Sequence, residues 1–424
     1  MKELELALRL LSAGQDEAKV VGAVRSKFRT TKKAAEFLVL SAREQLAASE
    51  APKALVRKQR LAKMASAVEE EGARVVGLRA AAMDRGLAQQ VAAGSSFLAE
   101  FEALAARHLR NKIVVPASLA RKKSSIKRTV NLALSDLHFG ADLQASEVPL
   151  PYGSVQESRR LASVMAQTAD YKTQYRDDSS LNVHVLGDVI DGSIGHDPRA
   201  GKPLAWQVMA ATSLLSAGIA FQAAQWRRVD VYWQSGNHDR RADRHQKRAV
   251  VQKWDSMATI IGHSVRMILA HLPNVRVHLF QTPYYVWESY GEYGFGTHSD
   301  TVLHTGQPSK KIDTASIENQ IHEMNDAFRN EGKPPCKLWV HGHTHRAYTM
   351  TLETGEVVIG NGPLVPSDPY AVSLGKLTSS CSQSLWESVP GHIFGDYRQL
   401  RVGKKQDEDS TLDRIVRPFG GFDG

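Results

Sequence analysis

Five short motifs along the chain carry side chains that bind metal ions in proteins. They lie at residues 135–138, 187–192, 236–239, 296–300 and 342–345. Three of their side chains offer oxygen ligands, and four offer imidazole nitrogens. These seven candidate ligands are Asp136, His138, Asp188, Asn237, His298, His343 and His345. Mixed nitrogen and oxygen ligands without thiolates suit Mn²⁺, Fe, Zn²⁺ or Ni²⁺, and they argue against Ca²⁺ and against a structural zinc finger.

Seven ligands are too many for one tetrahedral ion. They suit two ions about 3.5–4 Å apart, the arrangement that cleaves phosphate esters. Asp188 can bridge two cations because a carboxylate has two oxygens. In the fourth motif His298 is the expected ligand and His304 is the alternative. The sequence therefore predicts a centre with two divalent ions, for which Mn²⁺ is the first choice.

The motifs follow segments whose composition predicts β-strands, which is where α/β domains place their functional groups. Short runs of β-forming residues alternate with helical segments after residue 129. The predicted strands are 130–134, 182–186, 229–234, 275–280, 284–289, 293–297, 338–341, 348–352 and 357–359. The predicted helices are 157–171, 204–226, 247–270 and 316–330. This alternation predicts a layered α/β domain.

In order, the motifs read Asp-x-His, Gly-Asp-x-x-Asp, Gly-Asn-His-Asp, His and Gly-His-x-His. Over residues 131–360 this pattern resembles the five-block signature of the calcineurin-like metallophosphoesterase superfamily. The resemblance implies an α/β fold of two facing mixed β-sheets flanked by helices. It also implies one metal held by Asp136, His138 and His345, and a second held by Asn237, His298 and His343. Asp188 would bridge the two.

The same resemblance implies that His238 contacts the phosphate and protonates the leaving oxygen, with Asp239 orienting its ring. Asp191 would hold the ring of a ligand histidine in its metal-binding orientation. Two cations would neutralise the ester's charge and lower the pKa of a bridging water, whose hydroxide then attacks in line. Two arginines after the third motif and one histidine after the second are candidate substrate contacts. These are Arg240, Arg241 and His196, and a solvated helix start is the alternative for the arginines.

The positive charge of the chain is concentrated in its first third. Residues 1–128 contain 25 Lys and Arg and 13 Asp and Glu. This excess of 12 positive charges is larger than the net charge of +9 of the whole chain. Residues 16–28 and 32 to about 47 predict two helices around a short break, a pattern that resembles a helix-turn-helix. Further helices are predicted at 54–85 and 95–110. This charge asymmetry indicates contact with a polyanion such as DNA, and a basic packing domain without that role is the alternative.

We expect four segments along the chain. They are a basic helical domain at 1–112, a basic linker at 113–130, the metallophosphoesterase domain at 131–402 and a flexible tail at 403–424. No membrane contact is expected, because no stretch approaches the roughly 18–20 uninterrupted apolar residues of a membrane span. Two cysteines, Cys336 and Cys381, cannot form a disulfide framework. With no secretory signal recognised, they favour the cytoplasm of a bacterial or phage-infected cell.

These features favour a two-metal phosphodiesterase acting on DNA as an exonuclease-like nuclease, similar to SbcD-type repair exonucleases and related phage enzymes. A protein phosphatase is disfavoured, because Gly192 and Asp239 stand where those enzymes usually carry Arg and Glu. A small-molecule phosphomonoesterase or nucleotide phosphodiesterase is the alternative, and a DNA-binding protein with a structural metal site is the third. SbcD-type enzymes begin with the phosphoesterase domain, so a partner ATPase cannot be assumed here. The sequence leaves homo-oligomer formation open.

Overall fold

The computed structural model of the chain describes residues 2–29, 31–43, 126–146, 148–173, 179–192, 201–240, 254–303, 312–367, 372 and 380–416. The chain divides into two units, Met1–Gly94 and Ser95–Gly424. The predicted helices at 54–85 and 95–110 and most of the predicted linker lie outside the described residues. The predicted linker extends to residue 130, but a strand begins at Arg128.

The described part of the first unit consists of three helical segments. α1 is Lys2–Ser12, α2 is Glu17–Phe28 and α3 covers residues 32–43. Asp16 caps α2 by accepting a hydrogen bond from the amide of Ala18 at 2.9 Å, and Arg29 ends α2 with a φ of 51°. Small and β-branched side chains form the core, namely Ala7, Val20, Val24, Ala35, Val39 and Ala42. The two helices predicted around residues 29–31 are confirmed.

The second unit is built on two mixed β-sheets. The strands of the first sheet are β1 (Arg128–Leu134), β2 (Ser179–Leu186), β3 (Val229–Gln234), β4 (Val275–Leu279), β10 (Cys381–Ser388) and β11 (Tyr397–Val402). Those of the second are β5 (Tyr284–Ser289), β6 (Glu292–Thr297), β7 (Leu338–His341), β8 (Tyr348–Thr351) and β9 (Val357–Gly360). The strand orders are β11-β10-β1-β2-β3-β4 and β5-β6-β7-β9-β8.

Both sheets have a parallel centre and antiparallel edges. β1, β2, β3 and β4 run parallel, while β10 pairs antiparallel with β1 and β11 antiparallel with β10. In the second sheet β6, β7 and β9 run parallel, and β5 and β8 are antiparallel to their neighbours. The strands that precede the motifs are β1, β2 and β3 in the first sheet and β6 and β7 in the second. Within each sheet these strands run parallel to one another.

Four helices flank the two sheets, and two short helices near the end of the described residues pack against the first of the four. They are α4 (Ser154–Thr173), α5 (Leu204–Ala223), α6 (Met257–Ile268), α7 (Thr314–Asn330), α8 (Lys404–Asp407) and α9 (Asp413–Val416). The inner faces of the sheets meet in one core, to which Leu186 of the first sheet and Tyr285 and Ile359 of the second contribute. The predicted fold of two facing mixed sheets flanked by helices is thus confirmed.

Among the described helices, α5 alone has the length and apolar composition of a membrane span, and 72% of that window is buried within the protein. The sequence prediction of no membrane span was based on uninterrupted apolar runs. α5 has no such run, because polar residues such as Gln207 and Thr212 interrupt it. Both of these side chains are buried. Since α5 packs into the core beside the first sheet, its apolar character is explained by that position.

The largest differences from the sequence predictions are two strands that were missed and one late helix start, while several other elements differ by one to three residues at an end. β10 and β11 were not predicted, because β10 reads Cys-Ser-Gln-Ser-Leu-Trp-Glu-Ser and yet all eight residues are buried. The helix predicted at 247–270 begins at Met257 among the described residues. Ser256 caps it by accepting from the amide of Thr259 at 3.2 Å.

The predicted flexible tail is wrong over residues 403–416. Here α8 and α9 pack against α4 through two ion pairs, Arg160 to Asp407 at 2.7 Å and Arg159 to Asp413 at 3.0 Å. The Arg160 side chain is fully buried, so this segment closes over part of the core. Residues 417–424 lie outside the described residues.

Candidate metal centre

The seven candidate ligands come from five loops, each following the carboxyl end of a strand. Asp136 and His138 follow β1, Asp188 follows β2 and Asn237 follows β3, and these three strands are adjacent and parallel. In the second sheet His298 follows β6, and His343 and His345 follow β7, its parallel neighbour. Because parallel strands end at the same edge of a sheet, each sheet delivers its loops to one side.

The first group of ligand atoms comes from Asp136, His138 and His345, all within 4.8 Å of one another. Nε2 of His345 lies 3.5 Å from Oδ1 of Asp136, and the rings of His138 and His345 meet edge to face with centroids 5.2 Å apart. The structure therefore brings together the three side chains predicted to hold the first metal.

The second group contains Asp188, His298 and His343, again within 4.8 Å. Asn237 joins it, because its side-chain oxygen lies 3.0 Å from Nε2 of His298. The rings of His298 and His343 meet edge to face with centroids 5.1 Å apart. His304, the alternative to His298, lies outside the described residues.

Asp188 lies between the two groups. Its Oδ2 is 3.1 Å from Nε2 of His298 and 3.9 Å from Nε2 of His138, so one oxygen faces an imidazole of each group. Its Oδ1 accepts a hydrogen bond from the amide of His238 at 2.8 Å. A Cβ atom at Gly236 would come within 2.1 Å of Oδ1, so only glycine fits at that position. This is the placement that a bridging carboxylate needs.

The backbone of the centre is concentrated in the left-handed region. Five of the seven candidate ligands have positive φ, namely Asp136 (52°), His138 (47°), Asp188 (49°), His343 (72°) and His345 (52°). Non-glycine residues rarely adopt this conformation, which costs roughly 1–2 kcal/mol per residue. Such strain clusters at functional sites, where the surrounding structure enforces it.

Electrostatics within the centre favour bound positive charge. Burial lowers the pKa of His138, but the hydrogen bond to Asp191 and the nearby carboxylates outweigh burial and raise it to about 9. Burial likewise lowers the pKa of His298, but Asp188 and other carboxylates raise it to about 9. Burial would raise the pKa of Asp188, but its imidazole neighbours, His298 foremost, hold it well below its usual range. The carboxylates thus attract protons that a cation would replace.

The remaining two imidazoles favour the neutral form that binds metal. Burial, reinforced by the charge on His298, lowers the pKa of His343 to about 4. Burial also lowers the pKa of His345. A neutral imidazole has a lone pair to donate, so both side chains suit a metal ion.

One buried nitrogen supports the same interpretation. Nε2 of His138 is buried and has no hydrogen-bond partner among the described residues, while Nδ1 of the same ring lies 3.2 Å from Oδ1 of Asp191. A buried polar atom without a partner is unfavourable, and a cation between the two groups would satisfy it. With its nitrogen and oxygen donors, the centre fits divalent metal ions.

His238 lies beside the first group and forms a third candidate group with His138 and Asp191. Its ring meets that of His138 edge to face at 4.5 Å, and its Nδ1 is 2.8 Å from the backbone carbonyl of Asp191. Because a carbonyl only accepts, Nδ1 carries the proton and donates it, so that Nε2 is the acceptor nitrogen of the neutral ring. Asp191 therefore contacts both imidazoles, His138 through its carboxylate and His238 through its carbonyl.

The prediction that Asp239 orients His238 is wrong in this structure. The Asp239 carboxylate is fully buried and accepts from the amides of Val189 at 3.0 Å, Ile190 at 3.3 Å and Gly236 at 2.7 Å. It ties the second motif to the third instead of contacting an imidazole. Burial raises its pKa.

The candidate substrate contacts are only partly described. Nε of Arg240 donates to the backbone carbonyl of Asn237 at 2.5 Å, which fixes this side chain next to the third motif. Arg241 and His196 lie outside the described residues. A role in substrate binding stays a prediction for all three.

Three buried polar residues near the centre were not among the predicted site residues. Ser135 donates to Oδ2 of Asp136 at 2.6 Å, and Asn361 donates to Ser135 at 2.9 Å. Gln383 contacts both, at 2.9 Å from the amide of Ser135 and from Nδ2 of Asn361. Ser135 stands inside the first motif, whereas Gln383 is 248 residues from Ser135. Nothing local in the sequence links Gln383 to the centre.

Structural comparison finds a phosphatase, a phosphoesterase and a nucleotidase among the solved structures similar to this chain. A dimetal phosphatase from Danio rerio is 11% identical over 66% of this chain and 96% of its own, with a TM-score of 0.34. The calcineurin-like phosphoesterase YfkN from Bacillus subtilis is 11% identical over 68% and 99%, with a TM-score of 0.30. A 5'-nucleotidase from Candida albicans is 9% identical over 70% of this chain and 57% of its own, with a TM-score of 0.31. No protein-family model and no curated protein matches the chain.

The two mixed sheets and the placement of the ligand-bearing loops agree with the fold that the resemblance implies, and solved structures this dissimilar add no argument about the family of the chain. Identities and TM-scores this low say nothing of substrate, so chemical interpretation rests on the side chains of the centre. Seven predicted ligands meet at one place, although they are spread from Asp136 to His345 along the chain.

Proposed function

We propose that this protein hydrolyses phosphodiesters with two divalent metal ions and that its substrate is DNA. The observation that carries the proposal is the position of Asp188, whose Oδ2 faces imidazoles of both ligand groups. A pair of cations held there would offset the charge of a phosphate ester and lower the pKa of a water that serves as nucleophile. Mn²⁺ is the first choice, with Fe, Zn²⁺ and Ni²⁺ as alternatives.

The side chains around the centre have separate tasks in this proposal. The Asp191 carboxylate fixes the ring of His138, as ligand imidazoles require. The Asp191 carbonyl fixes the ring of His238, so that His238 delivers a proton from Nε2 to the departing oxygen. Arg240, held at the carbonyl of Asn237, would contact an anionic oxygen of the substrate.

Positive charge supports DNA as the substrate over a small phosphate ester. Around the turn between α2 and α3, five basic residues and no acidic residue fall within nine positions. They are Arg25, Lys27, Arg29, Lys32 and Lys33, and all are exposed. A helix-turn-helix with such a surface suits the phosphate backbone of DNA. We therefore propose that the first unit contacts DNA and that the enzyme is an exonuclease-like nuclease of the SbcD type.

The test is hydrolysis of defined substrates with added Mn²⁺. We expect cleavage of linear DNA and of bis-p-nitrophenyl phosphate, and we expect Asp188→Asn to abolish both. Asparagine is the better replacement here because it tolerates the left-handed φ of 49° more readily than alanine. RNA and p-nitrophenyl phosphate complete the panel.

The substrate panel separates the alternatives. If the monoester is hydrolysed far faster than the diester and DNA stays intact, the protein is a small-molecule phosphomonoesterase. If Mn²⁺ binds but no ester is cleaved, the centre has a structural role only. Either result would overturn the nuclease proposal.

A further inference from the structure

We infer that Gln383 of β10 is a positioning residue for the Asp136 carboxylate, acting through Ser135 and Asn361. The inference rests on the proposed two-metal function and adds to it a part of the fold that lies outside the five motifs. These three residues and Asp136 are called the β10 relay below. All four side chains are fully buried, so their contacts are shielded from water.

The direction of each hydrogen bond in the relay follows from the chemical groups. The Asn361 amide nitrogen can only donate, and it lies 2.9 Å from the hydroxyl oxygen of Ser135. The Ser135 oxygen therefore accepts from Asn361, and its single proton is directed to Oδ2 of Asp136 at 2.6 Å. The relay delivers one donor to one chosen oxygen of the carboxylate.

Gln383 fixes both preceding members. Its side-chain oxygen accepts from the amide of Ser135 and from Nδ2 of Asn361, each at 2.9 Å. Its side-chain nitrogen donates to the carbonyls of Gly362 at 2.9 Å and Ser382 at 3.0 Å. In a buried network with every polar group satisfied, no member can turn without losing bonds, so the network is rigid.

The relay leaves Oδ1 of Asp136 directed at the metal centre. Oδ1 lies 3.5 Å from Nε2 of His345, whereas Oδ2 is the oxygen bound by Ser135. The amide of His343 also contacts the carboxylate, at 3.0 Å to Oδ1 and 3.1 Å to Oδ2, so it does not distinguish the two oxygens. Ser135 does distinguish them, and Gln383 holds Ser135 in place.

The expected effect is confined to one ion. Asp136 belongs to the group with His138 and His345, and the group of Asp188, His298 and His343 does not include it. Loss of the relay should therefore weaken one metal position and spare the other. A residue that merely stabilised the fold would lower the affinity for both ions or for neither.

The experiment is a calorimetric Mn²⁺ titration of the full-length protein and its Ser135→Ala and Gln383→Leu variants. We expect two ions in the wild type and, in each variant, affinity for one of them weakened about 10–100-fold. The double variant should bind no more weakly than Gln383→Leu alone, because the relay is already broken. Ser135→Ala removes a single hydroxyl, so it decides the question if Gln383→Leu does not fold.

Ser388→Ala is the matched control. Ser388 lies on the same strand, is fully buried, accepts from Asn131 at 2.9 Å and donates to the carbonyl of Ile393 at 2.7 Å. It pairs with Thr129 at the opposite end of β1 from Asp136, so its loss should leave both affinities unchanged.

Two results would overturn the inference. If Ser135→Ala binds both ions as tightly as the wild type, Asp136 does not depend on the relay, while the proposed function stands. If Ser135→Ala and Ser388→Ala weaken both ions alike, the effect is one of general stability. A wild type that takes up no Mn²⁺ would instead remove the proposed function together with the relay.

Discussion

In the proposed function His238 is the proton donor, and its Nδ1 is committed to the carbonyl of Asp191. We predict that His238→Ala slows cleavage of esters with alkoxide leaving groups by about 10²–10⁴-fold. Esters of p-nitrophenol, which leave without a proton, should lose far less. Mn²⁺ should still bind, since His238 contacts Asp188 through its backbone amide.

His271→Ala is the control for that comparison. Its Nδ1 is also bound to a backbone carbonyl, that of Ile268 at 2.9 Å, but it lies outside the motifs. Rates for both classes of ester should match those of the wild type. An equal loss for both leaving groups in His238→Ala would assign His238 to substrate binding instead of proton transfer.

Individual ligands were predictable from the sequence because short spacings such as Asp136-x-His138 place two side chains on one turn. The partners of Asp239 were not, since its carboxylate binds the amides of Val189 and Ile190, about fifty residues away. Gln383 is a similar case. Its importance arises from a contact with Ser135 that only the folded sheet creates.

At the scale of elements, strands with valine and aromatic residues were predicted closely, and β3, β5 and β7 have the predicted bounds. β10 was missed because a strand buried on both faces is usually apolar. Here Gln383 and Ser388 have polar partners inside the protein, the Ser388 hydroxyl donating to the carbonyl of Ile393 at 2.7 Å. The backbone amide of Ser384 donates to the side-chain oxygen of Asn361 at 2.8 Å. The sequence did not predict β10 because of its polar composition.

The packing of α8 on α4 should be important for stability. Asp407→Ala leaves the buried guanidinium of Arg160 without its carboxylate, and loss of one partner of a buried pair costs about 3–5 kcal/mol. We expect that decrease in the free energy of unfolding, measured by urea denaturation. Glu408→Ala, which removes an exposed partner of Lys404 at 3.8 Å, should cost at most about 0.5 kcal/mol. Equal effects would contradict the burial of Arg160.

At the scale of the whole molecule, the chain carries two matched pairs of lysines that test where DNA binds. Lys32 and Lys33 begin α3 in the first unit, and Lys404 and Lys405 begin α8 in the second. All four are exposed. Each pair contains one 3.8 Å ion pair to a glutamate four residues on, Lys32 to Glu36 and Lys404 to Glu408. The pairs thus differ mainly in location.

We predict that replacing Lys32 and Lys33 by Gln makes the salt dependence of duplex DNA binding weaker. The measured quantity is the magnitude of the slope of log affinity against log salt concentration. The decrease should be up to about 1.8, since each phosphate contact contributes about 0.9. The same change at Lys404 and Lys405 should leave the slope as in the wild type. Fluorescence anisotropy across a salt series measures both, and equal slopes in all three proteins would exclude α3 as a DNA contact.

The place of β10 between β1 and β11 has a consequence during synthesis on the ribosome. Asp136 is translated 225 residues before Asn361 and 247 residues before Gln383. Contacts this distant form late in folding. In the proposed function, the Asp136 carboxylate of a nascent chain would thus take its final orientation only after β10 has been translated and has paired with β1.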